Sequence, residues 1–92
     1  MQIVWTSAAV IDLEQISDYI FEKNPRLAAT TIRRILESAS ELKLFSRLGR
    51  TGRKEGTREL VLTQLPYLVV YEVGEQSVTV LRVLHGARKW PA

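Results

Sequence analysis

The chain has 92 residues, is 46% hydrophobic and 25% charged, and carries a formal net charge of +3, the mix of an ordinary globular domain. Folding a chain of this size buries roughly two thirds of its unfolded surface, so residues 1–92 are expected to form a single domain around one core. The absence of cysteine excludes disulfides, thiolate nucleophiles and Cys-based zinc sites, and a lone histidine, His85, excludes His-rich metal sites and relays needing two imidazoles.

The N-terminus has no basic residue before Val10 and meets Asp12 and Glu14 early, which does not fit a signal peptide. Gln2-Ile3-Val4-Trp5 reads as a short strand. Thr6 and Ser7 are N-cap candidates for a helix over about 7–23, where Ala9, Leu13, Ile16 and Ile20 fall on one face. Asn24-Pro25 punctuates: Asn24 can cap, and Pro25 suits the first helical position, where its missing N–H is harmless. A second helix is predicted over about 25–45, with Ala28, Ile32, Ile35, Ala39 and Leu42 at helical spacing. The two make an antiparallel helical hairpin.

Residues 46–56, SRLGRTGRKEG, hold three glycines and four basic residues and read as a loop. Three strand-like runs follow: Thr57–Gln64, Tyr67–Val73 after a Leu65-Pro66 turn, and Ser77–Leu84 after Gly74-Glu75-Gln76. Such short links imply antiparallel hairpins. The last two runs are apolar on both parities, so the sheet should be covered on one face and partly sheltered on the other. The expected fold is α+β, in the order β-α-α-β-β-β, with the helical hairpin packed on one face of a small, mainly antiparallel sheet. The longest apolar run, Leu68–Tyr71, is far short of the ~20 residues that span a bilayer. A cytoplasmic location and no membrane partner are therefore expected.

The charge is uneven. Residues 1–46 sum to −1 and residues 47–92 to +4, which favours a polyanion or an acidic protein as partner, or is a basic tilt of a solvated surface. Catalytic motifs are mostly missing. Gly49 and Gly52 lie between a helix and a strand, the wrong order for a phosphate loop, and no serine sits in a nucleophile elbow. Glu14, Asp18 and Glu22 form an acidic row on the first helix; it reads as a solvated face or a contact for the basic half rather than a metal site. No metal and no cofactor are expected.

The strands carry the anomalies. By strand parity Arg58 shares its face with Leu60 and Leu62, and Arg82 shares its face with Val78, Val80 and Leu84, with His85 ending the same strand. Burying arginine unpaired is expensive. These cations are expected either to pair with Glu59 or Glu72 or to face a groove that takes phosphate or a carboxylate. Tyr67 and Tyr71 share a parity and either pack the sheet or offer hydroxyls and stacking surfaces. His85 is either a satisfied strand-end residue or an acid. In the tail, Trp90 beside Arg88 and Lys89 either anchors an interface or folds back onto the core.

Trp5-Thr6 with Ala9 and Asp12-Leu13, Tyr19-Ile20 with Asn24-Pro25, Leu48-Gly49-Arg50, Gly56 to Leu60, Pro66-Tyr67 through Tyr71, and Arg82 to Gly86 with Trp90-Pro91 occur in order over nearly the whole chain. In this the chain resembles the RelE/ParE superfamily of small bacterial toxins from type II toxin–antitoxin (plasmid-stabilisation) modules. The resemblance implies the same β-α-α-β-β-β fold and a cognate antitoxin, encoded by an adjacent gene, that folds an extended segment around the toxin in a hetero-oligomer. It also implies one of two activities. The RelE-like branch cleaves mRNA on the ribosome, with the 2′-hydroxyl as internal nucleophile. His85 would then be the acid, and Arg82 and Arg58 would bind phosphate. The ParE-like branch poisons DNA gyrase without being a nuclease, so Arg50, Arg53, Lys54, Tyr67, Arg88, Lys89 and Trp90 would be target or antitoxin contacts. Leu68 stands where the nuclease pattern has arginine, Gly86-Ala87 where it has another, and Lys54 is the only lysine in the loop before the second strand. These departures favour the ParE-like branch. A third reading is a binding module whose toxicity has decayed.

Overall fold

The computed structural model describes residues 1–86, 90 and 91. Chain order is β1 (Gln2–Trp5), α1 (Ser7–Phe21), α2 (Pro25–Ser40), a single 3₁₀ turn (Glu41–Lys43), β2 (Arg50–Thr51), β3 (Arg58–Val61), β4 (Tyr67–Val73) and β5 (Ser77–His85). The strands form one sheet in the order β1-β5-β4-β3-β2. β1 runs parallel to β5, and every other pair is antiparallel. The expected helical hairpin on a mainly antiparallel sheet is therefore found. The loop expected over 46–56 additionally contributes the two-residue strand β2, which no local pattern announces.

The caps explain where the helices begin. Thr6 Oγ1 accepts from the Ala9 N–H at 3.1 Å and starts α1. Asn24 Oδ1 accepts from the Leu27 N–H at 3.2 Å, and Pro25 follows in the first helical turn of α2, as the Asn-Pro signal requires. The five residues spaced along the second helix do face inward: Ala28, Ile35, Ala39 and Leu42 are buried and Ile32 packs against the core. Burying a side chain such as Ile35 contributes about 1.5–3 kcal/mol.

Both faces of the sheet are used. Ile3, Trp5, Leu60, Leu62, Val69, Tyr71, Val78, Val80 and Val83 meet Ala9, Leu13, Ile16, Ile32, Ile35 and Leu42 beneath the helices. On the other face Leu68, Val70 and Leu84 form a smaller buried cluster, closed by Leu81 and Trp90. That double burial is why β4 and β5 are apolar on both parities. Trp90 thus folds back onto this outer cluster instead of projecting free.

A bulge in β5 overturns one expectation. Val70 pairs with Arg82, but the next residue, Tyr71, pairs with Val80, so Leu81 is the extra residue. An extra residue switches the side of everything beyond it. Val78 and Val80 lie under the helices, whereas Arg82 lies with Leu84 and Val70 on the opposite face. Parity alone groups Arg82 with Val78 and Val80; the bulge removes it from them.

Candidate functional site

The sites build from three side-chain constellations. The first joins α1 to β5. β1 ends at Trp5, which leaves the edge of β5 beyond Val80 without a strand partner. The start of α1 fills that gap. Thr6 donates its N–H to the Val80 carbonyl (3.1 Å) and its hydroxyl to the carbonyl of the bulge residue Leu81 (2.9 Å). Asp12, 5% exposed, accepts from Arg82 Nε (2.7 Å) and Nη2 (3.0 Å) and from the Val83 N–H (2.9 Å). The bidentate bond to Asp12 raises the Arg82 pKa further above its already high value, with burial opposing it, so the group stays a cation. Its guanidinium also lies 6.0 Å from the centre of the Trp90 ring, which ties the tail to the same post. Arg82 is paired, as one of the two expectations had it, but with Asp12 instead of Glu59 or Glu72.

The second constellation organises the basic loop. Glu59 is 0% exposed, on β3. Its Oε1 accepts from Arg50 Nη2 (3.0 Å), and its Oε2 accepts from the Arg53 N–H (3.0 Å) and Nε (3.1 Å). Burial pushes this carboxyl up, but the Arg53 N–H and the Arg50 and Arg53 guanidinium groups pull it down further, so it stays ionised and below its usual range. Tyr71, fully buried on β4, accepts from the Gly49 N–H (2.9 Å) and donates to the Ser46 carbonyl (2.8 Å). A Cβ on Gly49 would lie 2.8 Å from the Tyr71 ring and hydroxyl and 2.9 Å from the Glu59 carbonyl carbon, so only glycine fits where the loop crosses the sheet. Arg58 Nη1 then donates to the Gly49 carbonyl at 2.6 Å. Lys54 is exposed, its carbonyl accepting from the Thr57 N–H and hydroxyl. The loop is a scaffolded platform: its outward positive charge is carried by Lys54, Arg47 and the exposed parts of Arg50 and Arg53, beside the exposed carboxylate of Glu55.

The third is a cleft of about 410 Å³ where α1 meets the end of the β4–β5 hairpin. Asp12, Gln15 and Tyr19 line it from the helix, Pro66 from the turn, Tyr67 from β4, and Val83 and His85 from β5. Tyr67 and His85 are cross-strand partners with ring centres 5.8 Å apart and planes at 85°, the edge-to-face arrangement aromatics prefer. Burial, helped by Tyr19, raises the Tyr67 phenol above its usual pKa, so it is a neutral hydroxyl donor at physiological pH. The Gly86 N–H donates to the Pro66 carbonyl at 2.7 Å and closes the end of the cleft.

The predicted residues do not converge. His85 pairs with Tyr67 and Arg58 with Tyr71. That places them four residues apart along the strands, roughly 13 Å, and two strands apart across the sheet. Arg82 lies on the opposite face. Arg58, Arg82 and His85 are thus dispersed, and the two arginines bond to the Gly49 carbonyl and to Asp12 respectively. Arg88 and Lys89 lie outside the described residues. Among the described residues no three His, Asp or Glu side chains are placed to hold a metal, and no helix is long and apolar enough to cross a membrane. Asp12 was missed as a structural acid, although it falls between Ala9, Leu13 and Ile16 on the inward stripe of α1. An acid on an apolar stripe is a legible sign of a buried cation partner. Tyr19 and Gln15 gave no such sign.

A family model described as the ParE toxin of the type II toxin–antitoxin system parDE matches residues 3–90. The Y4kP protein of Sinorhizobium fredii is 37% identical over 90 residues, covering 98% of this chain and 93% of its own. Toxin RelE2 of Caulobacter vibrioides is 36% identical over 87 residues, covering 95% and 97%. Among solved structures, a chain of the chromosomal ParDE toxin–antitoxin system from P. aeruginosa aligns with a TM-score of 0.85 at 26% identity, over 92% of this chain and 95% of that one. A chain of the RelBE2 toxin–antitoxin complex from Mycobacterium tuberculosis aligns with a TM-score of 0.63 at 26% identity, over 95% and 92%.

Proposed function

This chain belongs to the ParE toxin family of type II toxin–antitoxin systems, and on that footing we propose that it arrests growth by poisoning DNA gyrase, acting by binding and without breaking a covalent bond. The observation that carries the reading is the dispersal of the chemistry-bearing side chains. General acid–base cleavage of RNA needs an acid and phosphate-binding cations around one phosphorus atom. Here Arg58 and Arg82 sit on opposite sheet faces, each bonded to the protein itself. The closer likeness to the ParDE chain than to the RelBE2 chain, TM-score 0.85 against 0.63, supports the same branch. Lys54, Arg50 and Arg53, presented by a loop that Glu59 and Tyr71 hold rigid, are the contact residues of this reading, together with Tyr67 and the tail residues Arg88, Lys89 and Trp90. The partner that neutralises the toxin is a cognate antitoxin, and the site of action is the cytoplasm.

One observation favours the ribonuclease alternative: the cleft beside His85 holds a neutral tyrosine hydroxyl next to an imidazole. In that reading His85 protonates the leaving oxygen on the ribosome, and Arg82 and Arg58 would have to leave their present partners. Two assays separate the readings. The purified protein is expected to block gyrase supercoiling and to leave translated mRNA uncut in primer extension. Normal supercoiling at excess protein, with A-site cuts that vanish in His85→Ala, would establish the alternative.

A further inference from the structure

Where the chain leaves α2 it reads Lys43-Leu44-Phe45-Ser46-Arg47-Leu48-Gly49-Arg50. Leu42, just before, is fully buried, whereas Leu44 is 82% exposed, Phe45 61% and Leu48 51%. Leu44 is the most exposed large apolar side chain among the described residues. Apolar groups in water gain by turning inward, but here the backbone is committed elsewhere. The Leu44 and Phe45 N–H groups donate to the Glu41 carbonyl (3.1 and 3.0 Å), and the Leu48 N–H donates to that of Phe45 (3.0 Å). Such a turn keeps the Phe45 and Leu48 Cα atoms within about 7 Å. Tyr71 holds the chain on either side of Arg47-Leu48, through the Ser46 carbonyl and the Gly49 N–H, and Arg58 takes the Gly49 carbonyl. Three apolar side chains are thus displayed to solvent by a backbone that is already ordered. Cations stand among them: Lys43, Arg47 and Arg50 are exposed, and residues 43–50 contain no carboxylate. The preceding acid along the chain, Glu41, lies on the 3₁₀ turn.

We infer that Leu44, Phe45 and Leu48 form the docking patch for the toxin's target protein, whose surface offers an apolar pocket rimmed by carboxylates. The three side chains fill the pocket, and Lys43, Arg47 and Arg50 meet the rim. Clustered exposed apolar groups mark interaction sites, and ordering them beforehand lowers the entropy cost of association. The inference rests on the toxin reading for there being a target, and on the gyrase reading only for which protein that is. A second copy of the chain is the poorer occupant, because its own patch would bring like charges together. A bilayer surface is poorer too: segments that lie on membranes are amphipathic helices, and this is a turn.

The test compares inhibition of gyrase supercoiling by the wild-type chain and by Leu44→Ser/Phe45→Ser. The double variant is expected to need at least about tenfold more protein for half-inhibition, as loss of an interface anchor does. Arg47→Glu should need at least about fivefold more, and Arg47→Lys should recover most of that loss. Val10→Ser/Ile11→Ser, which removes comparably exposed apolar groups from α1, should inhibit like wild type. An unchanged melting temperature shows that the variants fold, and Leu44→Ser alone repeats the test at the most exposed position. Inhibition by Leu44→Ser/Phe45→Ser equal to wild type, or an equal loss in Val10→Ser/Ile11→Ser, would overturn the proposal. So would full inhibition combined with lost binding to the protein encoded by the adjacent gene, or with lost sedimentation on phosphatidylglycerol vesicles. If the wild-type chain leaves gyrase active yet arrests growth on induction, the gyrase reading fails. The patch is then decided by growth: arrest abolished in Leu44→Ser/Phe45→Ser supports it, and arrest unchanged overturns it. A wild-type chain that arrests nothing overturns both.

Discussion

Replacing Asp12 by alanine removes three hydrogen bonds at once and probes the joint between the helical hairpin and the sheet. The carboxylate is 5% exposed and Arg82 25%, so this is a mostly buried pair with one partner able to reach water. Breaking a fully buried ion pair costs about 3–5 kcal/mol; the partial exposure of Arg82 lowers its share, while the orphaned N–H of buried Val83 adds about 1–3 kcal/mol. A net loss of about 3 kcal/mol follows, against a total stability of roughly 5–14 kcal/mol for a domain of this length. At about 4–8 °C per kcal/mol, the melting temperature should fall by about 12–24 °C. Urea unfolding followed by far-UV circular dichroism measures it, and Asp12→Ala/Arg82→Leu completes the cycle. The double variant should be at least about 1.5 kcal/mol more stable than the sum of the single losses predicts, since it leaves no unpaired charge. Additivity within about 0.5 kcal/mol, or a loss below about 1 kcal/mol for Asp12→Ala alone, would refute the assignment of this pair as the joint.

Gly49→Ala should destabilise by at least about 1–3 kcal/mol through overpacking against Tyr71 and the β3 backbone, and Tyr71→Phe in the same background should recover only part of that loss; calorimetry on both variants decides it. Glu59 supplies a pH limb. Its folded pKa is held below the unfolded value of about 4.3, so its stabilisation is complete above that value and is lost as pH falls through the folded pKa. Glu59→Gln should therefore flatten the acid side of the stability profile below about pH 4.5, and an unchanged acid limb in urea titrations would show that the Arg50–Arg53 network does not depend on the charge.

Much of the fold was legible because it is written in short-range signals. The inward stripe of α2, the Asn24-Pro25 hinge and the bounds of β4 each follow from neighbours within a few residues, where periodicity and capping act. The site was legible only in its residue types. A parity argument puts Arg82 with Val80 as long as β5 is regular, and a single extra residue at Leu81 reverses that. The reason for the bulge is remote in sequence: Thr6 binds the Leu81 carbonyl and Asp12 takes the Val83 N–H, contacts 75 and 71 residues apart.

The sequence alone determined that two amphipathic helices and a set of apolar strands must share a core, because hydrophobic periodicity is a local property of the chain. Which cation meets which anion was decided only by the tertiary structure. Asp12, Glu59, Arg50, Arg53 and Arg82 are paired by the way α1 crosses the open edge of β5 and the basic loop crosses β3. Ion pairs of that kind depend on distances of a few ångströms, which spacing along the chain does not fix.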